Sequence, residues 1–183
     1  MAYAQRNEDY QDSGSGHALQ YLTFSLAGEE YGVDILGVQE VKVWTPVTVL
    51  PNTPPYVKGV LNLRGIVVPI IDLRICFNIP SIEYDATTVI VVLKLTVHSK
   101  ERVIGLVVDS VSDVLDITHS QVRSTEEFDM TSQTEAITGV ATLDSKMVIL
   151  LDAAKLLSAG ELADLTRDAA ALKEKANAES ESE

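Results

Sequence analysis

The chain reads as an all-β protein: two pseudo-symmetric five-stranded units packed on each other, with short helical turns and a C-terminal helix. Three observations predict this. Runs of β-branched and apolar residues recur along the chain and are separated by glycine, proline and polar turn residues. The chain repeats itself at two offsets. Gly32–Val41 lies over Gly105–Val114 at 73 residues, and Val57–Leu73 lies over Ile137–Ala153 at 80. Helical spacing of apolar residues begins only at Asp152.

The elements follow in order. Residues 1–18 are polar, include Ser13-Gly14-Ser15-Gly16, and read as a disordered N-terminal arm. Tyr21–Leu26 alternates as a strand, Ala27–Glu30 turns, and Tyr31–Ile35 returns. Val38–Val49 reads as extended, and Pro51–Pro55 as a loop, since proline cannot donate to a ladder. Val57–Leu63 and Ile66–Ile71 form a hairpin through Arg64-Gly65. Asp72 is placed to cap one helical turn over 73–77. Thr87–Leu95 and Arg102–Asp109 are strands around a polar turn at His98–Glu101, and 116–136 reads as irregular. Ile137–Leu143 and Met147–Leu151 pair around Asp144-Ser145. From Asp152, Leu162, Leu165, Ala169, Leu172 and Ala176 recur at helical spacing, and 159–183 ends as an acidic tail. Each repeat has about 65 residues, marginal as an independent fold, so the two should bury their apolar faces against each other.

Composition narrows the function. Fourteen Lys and Arg stand against 27 Asp and Glu, a net charge of −13. That balance argues against nucleic acid and against an anionic membrane surface. Residues 1–16 carry −2 and residues 159–183 carry −4, so much of the acidity lies in the terminal segments. The single Cys76 excludes an internal disulfide and a thiolate-rich metal site, and reads as a small buried hydrophobe rather than a reactive thiol. No signal sequence and no apolar run long enough to span a bilayer is evident. The expected protein is soluble and cytoplasmic, without membrane insertion.

No catalytic constellation emerges, and no metal or cofactor is expected. His17, His98 and His119 have no nucleophile motif beside them, and there is no glycine-rich phosphate loop. The acidic group Asp109, Asp113 and Asp116 reads as solvated strand ends, with a metal-dependent hydrolase as the distant alternative. Two polar interruptions of apolar runs stand out. Asn62-Leu63-Arg64-Gly65 fits a hairpin turn, with Gly65 supplying positive φ, but that reading does not require a cation at 64. Glu40 fits an outward strand position. Glu40 and Arg64 could pair across a groove between the halves and orient the guanidinium.

These residues resemble a known family. Glu30-Tyr31-Gly32-Val33-Asp34-Ile35 with Val38-Gln39-Glu40-Val41 is similar to the opening of the CheW family of chemotaxis coupling proteins. Asn62-Leu63-Arg64-Gly65 followed by Pro69–Arg74 resembles its central signature, and Gly105–Asp109 with Val111–Leu115 its second-half segment. The resemblance covers about 19–160. It implies two SH3-like five-stranded barrels: about 19–82 and about 83–158, with strand exchange between the halves left open. It implies an adaptor without enzymatic activity. The partners implied are the cytoplasmic tip of methyl-accepting chemotaxis receptors, bound in a groove between the subdomains, and the CheW-like regulatory domain of the histidine kinase CheA. Val38, Glu40, Gly59, Asn62, Arg64, Gly65, Val111 and Val114 are the positions it implies for receptor or kinase coupling. Localisation is then cytoplasmic, with recruitment to membrane-associated receptor arrays. A scaffold of another chemosensory-type pathway, such as pilus control, is the alternative within the family.

Overall fold

A computed structural model describes residues 17–128 and 135–158. The chain runs β1 (Leu19–Leu26), β2 (Glu29–Asp34), β3 (Val38–Val43), β4 (Val57–Leu63), β5 (Ile66–Asp72), α1 (Leu73–Cys76), β6 (Val89–Val97), β7 (Lys100–Val108), β8 (Ser110–Ile117), β9 (Val122–Ser124), β10 (Ile137–Leu143), β11 (Lys146–Leu151) and α2 (Ala153–Ser158). The strands form two mixed sheets. The first has the order β8-β1-β2-β11-β10-β9 and the second β3-β6-β7-β5-β4.

Neither sheet coincides with a half of the sequence. The β1–β2 hairpin joins β8–β11, while β6 and β7 are inserted among β3, β4 and β5. A division between residues 82 and 83 therefore cuts both sheets. The pseudo-symmetry is visible in the register. Leu150 faces Gly32 across the parallel β11–β2 pair, and Ile70 faces Gly105 across the parallel β5–β7 pair. Offsets of 80 and 73 convert the first pair into the second. The β4–β5 ladder slips between Val57 and Gly59, and the β10–β11 ladder slips at the equivalent Ile137 and Gly139. Asp72 and Asp152 then cap α1 and α2, each accepting a backbone N–H at 2.9 and 3.0 Å from Arg74 and Ala154.

The exchange explains why the strands are so apolar. β6 has no solvent-facing side along Ile90–Leu93. Val91 and Leu93 enter the core between the sheets, beside Phe24, Val33, Ile104 and Leu106. Ile90 and Val92 point the other way, into a second cluster with Val68, Ile70 and Val107. A third cluster, Ile117, Ala141, Val148 and Leu150, is its counterpart in the first sheet. Period-2 alternation therefore delivers apolar residues to two cores. Each fully buried Val, Leu or Ile contributes roughly 1.5–3 kcal/mol relative to exposure.

Several sequence expectations need correction. The extended run at 38–49 stops at Val43, and beyond it only a bridge between Thr48 and Val60 remains. The prolines at 46, 51, 54 and 55 withdraw the donors a longer strand would need. The stretch 116–136 is less irregular than expected. β8 runs on to Ile117 and β9 adds a sixth strand to the first sheet, so the two sheets are unequal. Residues 1–16 and 159–183, including the acidic tail, lie outside the described residues.

Candidate functional site

Two strands at sheet margins gather most of the polar and apolar positions singled out above. One is β3, with Val38 and Glu40. The β4–β5 hairpin reaches it from the opposite end of the second sheet. Leu63 pairs with Ile66, leaving Arg64 and Gly65 as a two-residue turn with φ of 52° and 83°. Two positive φ values match the right-handed twist of the flanking strands, and Gly65 adopts its value without strain. Asn62 Oδ1 accepts the Gly65 N–H at 2.9 Å, which closes the turn. Held there, Arg64 donates from its terminal NH2 nitrogen to Glu40 Oε2.

The Glu40–Arg64 pair differs from the expected geometry. Both residues belong to the second sheet, so the pair ties β3 to the β4–β5 hairpin rather than crossing between the halves. The Arg64 side chain is 78% exposed, so the pair contributes at most about 1 kcal/mol to stability. Its guanidinium stays open to a partner. Around it lies a shallow groove lined by Leu36, Val38, Gln39, Lys94, Thr96 and Glu101. Lys94 and Glu101 form a second exposed ion pair at 2.8 Å.

The other margin is β8, in the first sheet. Val111 packs against the core between the sheets, whereas Val114 is 43% exposed. By the 73-residue offset Val111 corresponds to Val38, Asp113 to Glu40 and Val114 to Val41. Gly59 is apart from both margins. It is buried, with φ of 146°, and a Cβ there would lie 2.2 Å from the Thr48 carbonyl oxygen. Its requirement is close backbone approach at the β4 bulge.

The acidic group does not converge. Asp109 Oδ1 and Oδ2 accept from Arg74 Nε and NH2 at 2.7 and 2.6 Å, and Oδ2 also accepts the Ala27 N–H at 2.8 Å. Those bonds, Arg74 foremost, hold the Asp109 carboxyl below the usual range. Asp113 caps the Val114 N–H and Asp116 accepts from Gln20 Nε2, both at the surface. Among the described residues no group of three or more His, Cys, Asp and Glu is placed to hold a metal ion. Cys76 is half-buried, and burial raises its thiol pKa.

Two features escaped the sequence reading. The Arg74–Asp109 pair joins residues 35 positions apart that no local motif links. Asp72 does more than cap: it is buried and accepts the Tyr84 hydroxyl, whose own pKa is raised, by burial first and then by that bond. Tyr84 in turn packs on Trp44 with ring centroids 4.4 Å apart.

Comparison with known proteins now bears on this arrangement. The family model described as a CheW-like domain matches residues 20–161. The chain belongs to the CheW family. It is 49% identical over 144 residues to the chemotaxis protein CheW of Klebsiella aerogenes, covering 79% of this chain and 84% of that protein. It is 34% identical over 142 residues to a probable chemotaxis protein CheW of Rhizobium etli, covering 78% and 89%. The crystal structure of the scaffolding protein TtCheW from Thermoanaerobacter tengcongensis superposes with a TM-score of 0.65 at 31% identity, covering 74% of this chain and 89% of that one. CheW-family proteins are scaffolds and adaptors, not enzymes, and the mostly stranded two-sheet architecture seen here is theirs. Among the described residues no helix is long and apolar enough to cross a membrane.

Proposed function

We propose that this protein is a non-enzymatic chemotaxis adaptor that couples methyl-accepting receptors to the histidine kinase CheA. The observation behind the proposal is the placement of Val38 and Glu40 on margin β3, of Arg64 on the β4–β5 turn that reaches that margin, and of Val114 on margin β8, where the Arg64 guanidinium and the Val114 side chain are left open. Those margins are contact surfaces for the receptor tip and for the CheW-like domain of the kinase. Arg64, Val38 and Glu40 belong to one, and Val111 and Val114 to the other. Asn62 and Gly65 act by shaping the turn that presents Arg64, and Gly59 acts by holding β4 against Thr48. The protein works in the cytoplasm and is recruited to membrane-associated receptor arrays.

The test is a pull-down of the full chain with CheA and a receptor fragment, scored for a ternary complex and for receptor-dependent kinase control. The wild-type chain should bridge the two. Arg64→His should lose coupling while its stability changes by no more than about 1 kcal/mol, the most the exposed pair with Glu40 contributes. A variant that unfolds instead would assign Arg64 to the fold, and absence of any ternary complex with the wild-type chain would reject the proposal.

A further inference from the structure

Among the described residues two crossovers carry the chain between the sheets. One runs from β2 to β3 through Ile35–Gly37, and the other from β7 to β8 through Asp109. The 73-residue offset makes them equivalent, yet they are held differently. At Asp109 the Arg74 guanidinium makes a bidentate pair, and its third nitrogen, NH1, donates to the Pro80 carbonyl at 2.8 Å. Asp109 also takes the Ala27 N–H, gives its own N–H to Ser25 O at 3.1 Å, and accepts from Thr87 Oγ1 at 3.2 Å. One residue thus binds the β1–β2 turn of the first sheet and the helix that follows β5 of the second. The side chains of Arg74 and Asp109 are only 12% and 21% exposed. Shielded, charge-assisted forks of this kind are stiff in geometry.

At the other crossover the equivalent positions have lost those groups. Ala153 stands for Leu73, Ala154 for Arg74 and Leu36 for Asp109, with Leu36 88% exposed. Beside this crossover lies a cleft of about 380 Å³ between Asp34, Gly37, Lys94, Leu95, Asp152 and Ala153. Atoms lining a cleft have contacts on one side only, so the elements around it resist displacement less.

We propose that the Arg74–Asp109 pair is a latch that fixes the β7–β8 crossover and positions the Val111–Val114 margin, leaving the β2–β3 crossover as the joint at which the sheets shift. The positioning role rests on the coupling function proposed above; the mechanical asymmetry does not. Arg74 and Asp109 are positioning residues, acting on partners through β8. The β3 margin, by contrast, adjusts to what it meets.

Amide hydrogen exchange of the full chain tests this. Val38, whose N–H bonds Ile35 O, should exchange at least about tenfold faster than Asp109, whose N–H bonds Ser25 O. Grafting the latch with Leu36→Asp and Ala154→Arg should slow Val38 by about the same factor. Arg74→Gln should speed exchange at 109–111 and weaken receptor or kinase binding, and the reversed pair Arg74→Asp with Asp109→Arg should restore both. Equal rates at Val38 and Asp109 in the parent chain would overturn the latch, whatever the variants do. So would a folded graft that leaves Val38 unchanged. If exchange shifts as expected but Arg74→Gln binds partners normally, the positioning role fails while the coupling function stands.

Discussion

The β4–β5 and β10–β11 hairpins follow equivalent paths and carry different side chains at their tips. Each slips register at an equivalent point, each brings a glycine under a neighbouring carbonyl, and each ends in an aspartate that caps a short helix. Their tips diverge. Arg64 at one meets Glu40, whereas the equivalent tip residue is Asp144 and the residue equivalent to Glu40 is Asp113. A duplicated fold keeps the groups its backbone cannot do without and leaves exposed side chains free to differ. The features the halves share are therefore structural by default. Those present in one half alone, such as Arg64, Arg74 and Tyr84, are where the halves took separate roles.

Substitution of the paired glycines should break the likeness most severely. Gly59→Ala places a Cβ 2.2 Å from the Thr48 oxygen at a φ of 146°, while Gly139→Ala meets the Arg123 oxygen at 2.6 Å. Both should destabilise, with Gly59→Ala costing roughly 3 kcal/mol or more because strain and overlap add. Denaturant unfolding of the two variants measures this, and a Gly59→Ala variant of near wild-type stability would show that the backbone can yield there.

The capping aspartates come next. Asp152→Ala removes a cap worth about 1 kcal/mol. Asp72→Ala also orphans the Tyr84 hydroxyl, so its loss should exceed that of Asp152→Ala by about 1–2 kcal/mol. Equal losses, measured in urea, would mean that the Tyr84 bond adds nothing.

The gentlest probe is acid. The folded Asp109 carboxyl lies below its unfolded value near 3.8, so below that pH the unfolded state binds the extra proton. Its contribution is present above about pH 4 and is lost as pH falls through the folded pKa. The wild-type chain should therefore lose stability below about pH 4 more steeply than Asp109→Asn. Parallel curves would indicate that Arg74 contributes equally to both forms.

Strand identity, the hairpin turn at Arg64-Gly65, the helix cap at Asp72 and the duplication were legible because each rests on residues near in sequence or on a repeated spacing. Glu40 and Arg64 could be named as a pair because both interrupt apolar runs. The sheet they share could not be read, since strand partners depend on loops that do not encode direction. β9 was missed because a three-residue strand carries too short a pattern to show alternation.

By itself the sequence determined the all-β class, the internal repeat and the CheW resemblance, because period, turn chemistry and motif spacing are local and survive in one dimension. Only the tertiary structure decided that the halves exchange hairpins, that Glu40 and Arg64 lie in one sheet, and that Arg74 reaches Asp109 at one crossover while a cleft lies beside the other. Those are contacts between residues far apart in the chain, chosen by which apolar faces can be buried together, and no local pattern specifies that choice.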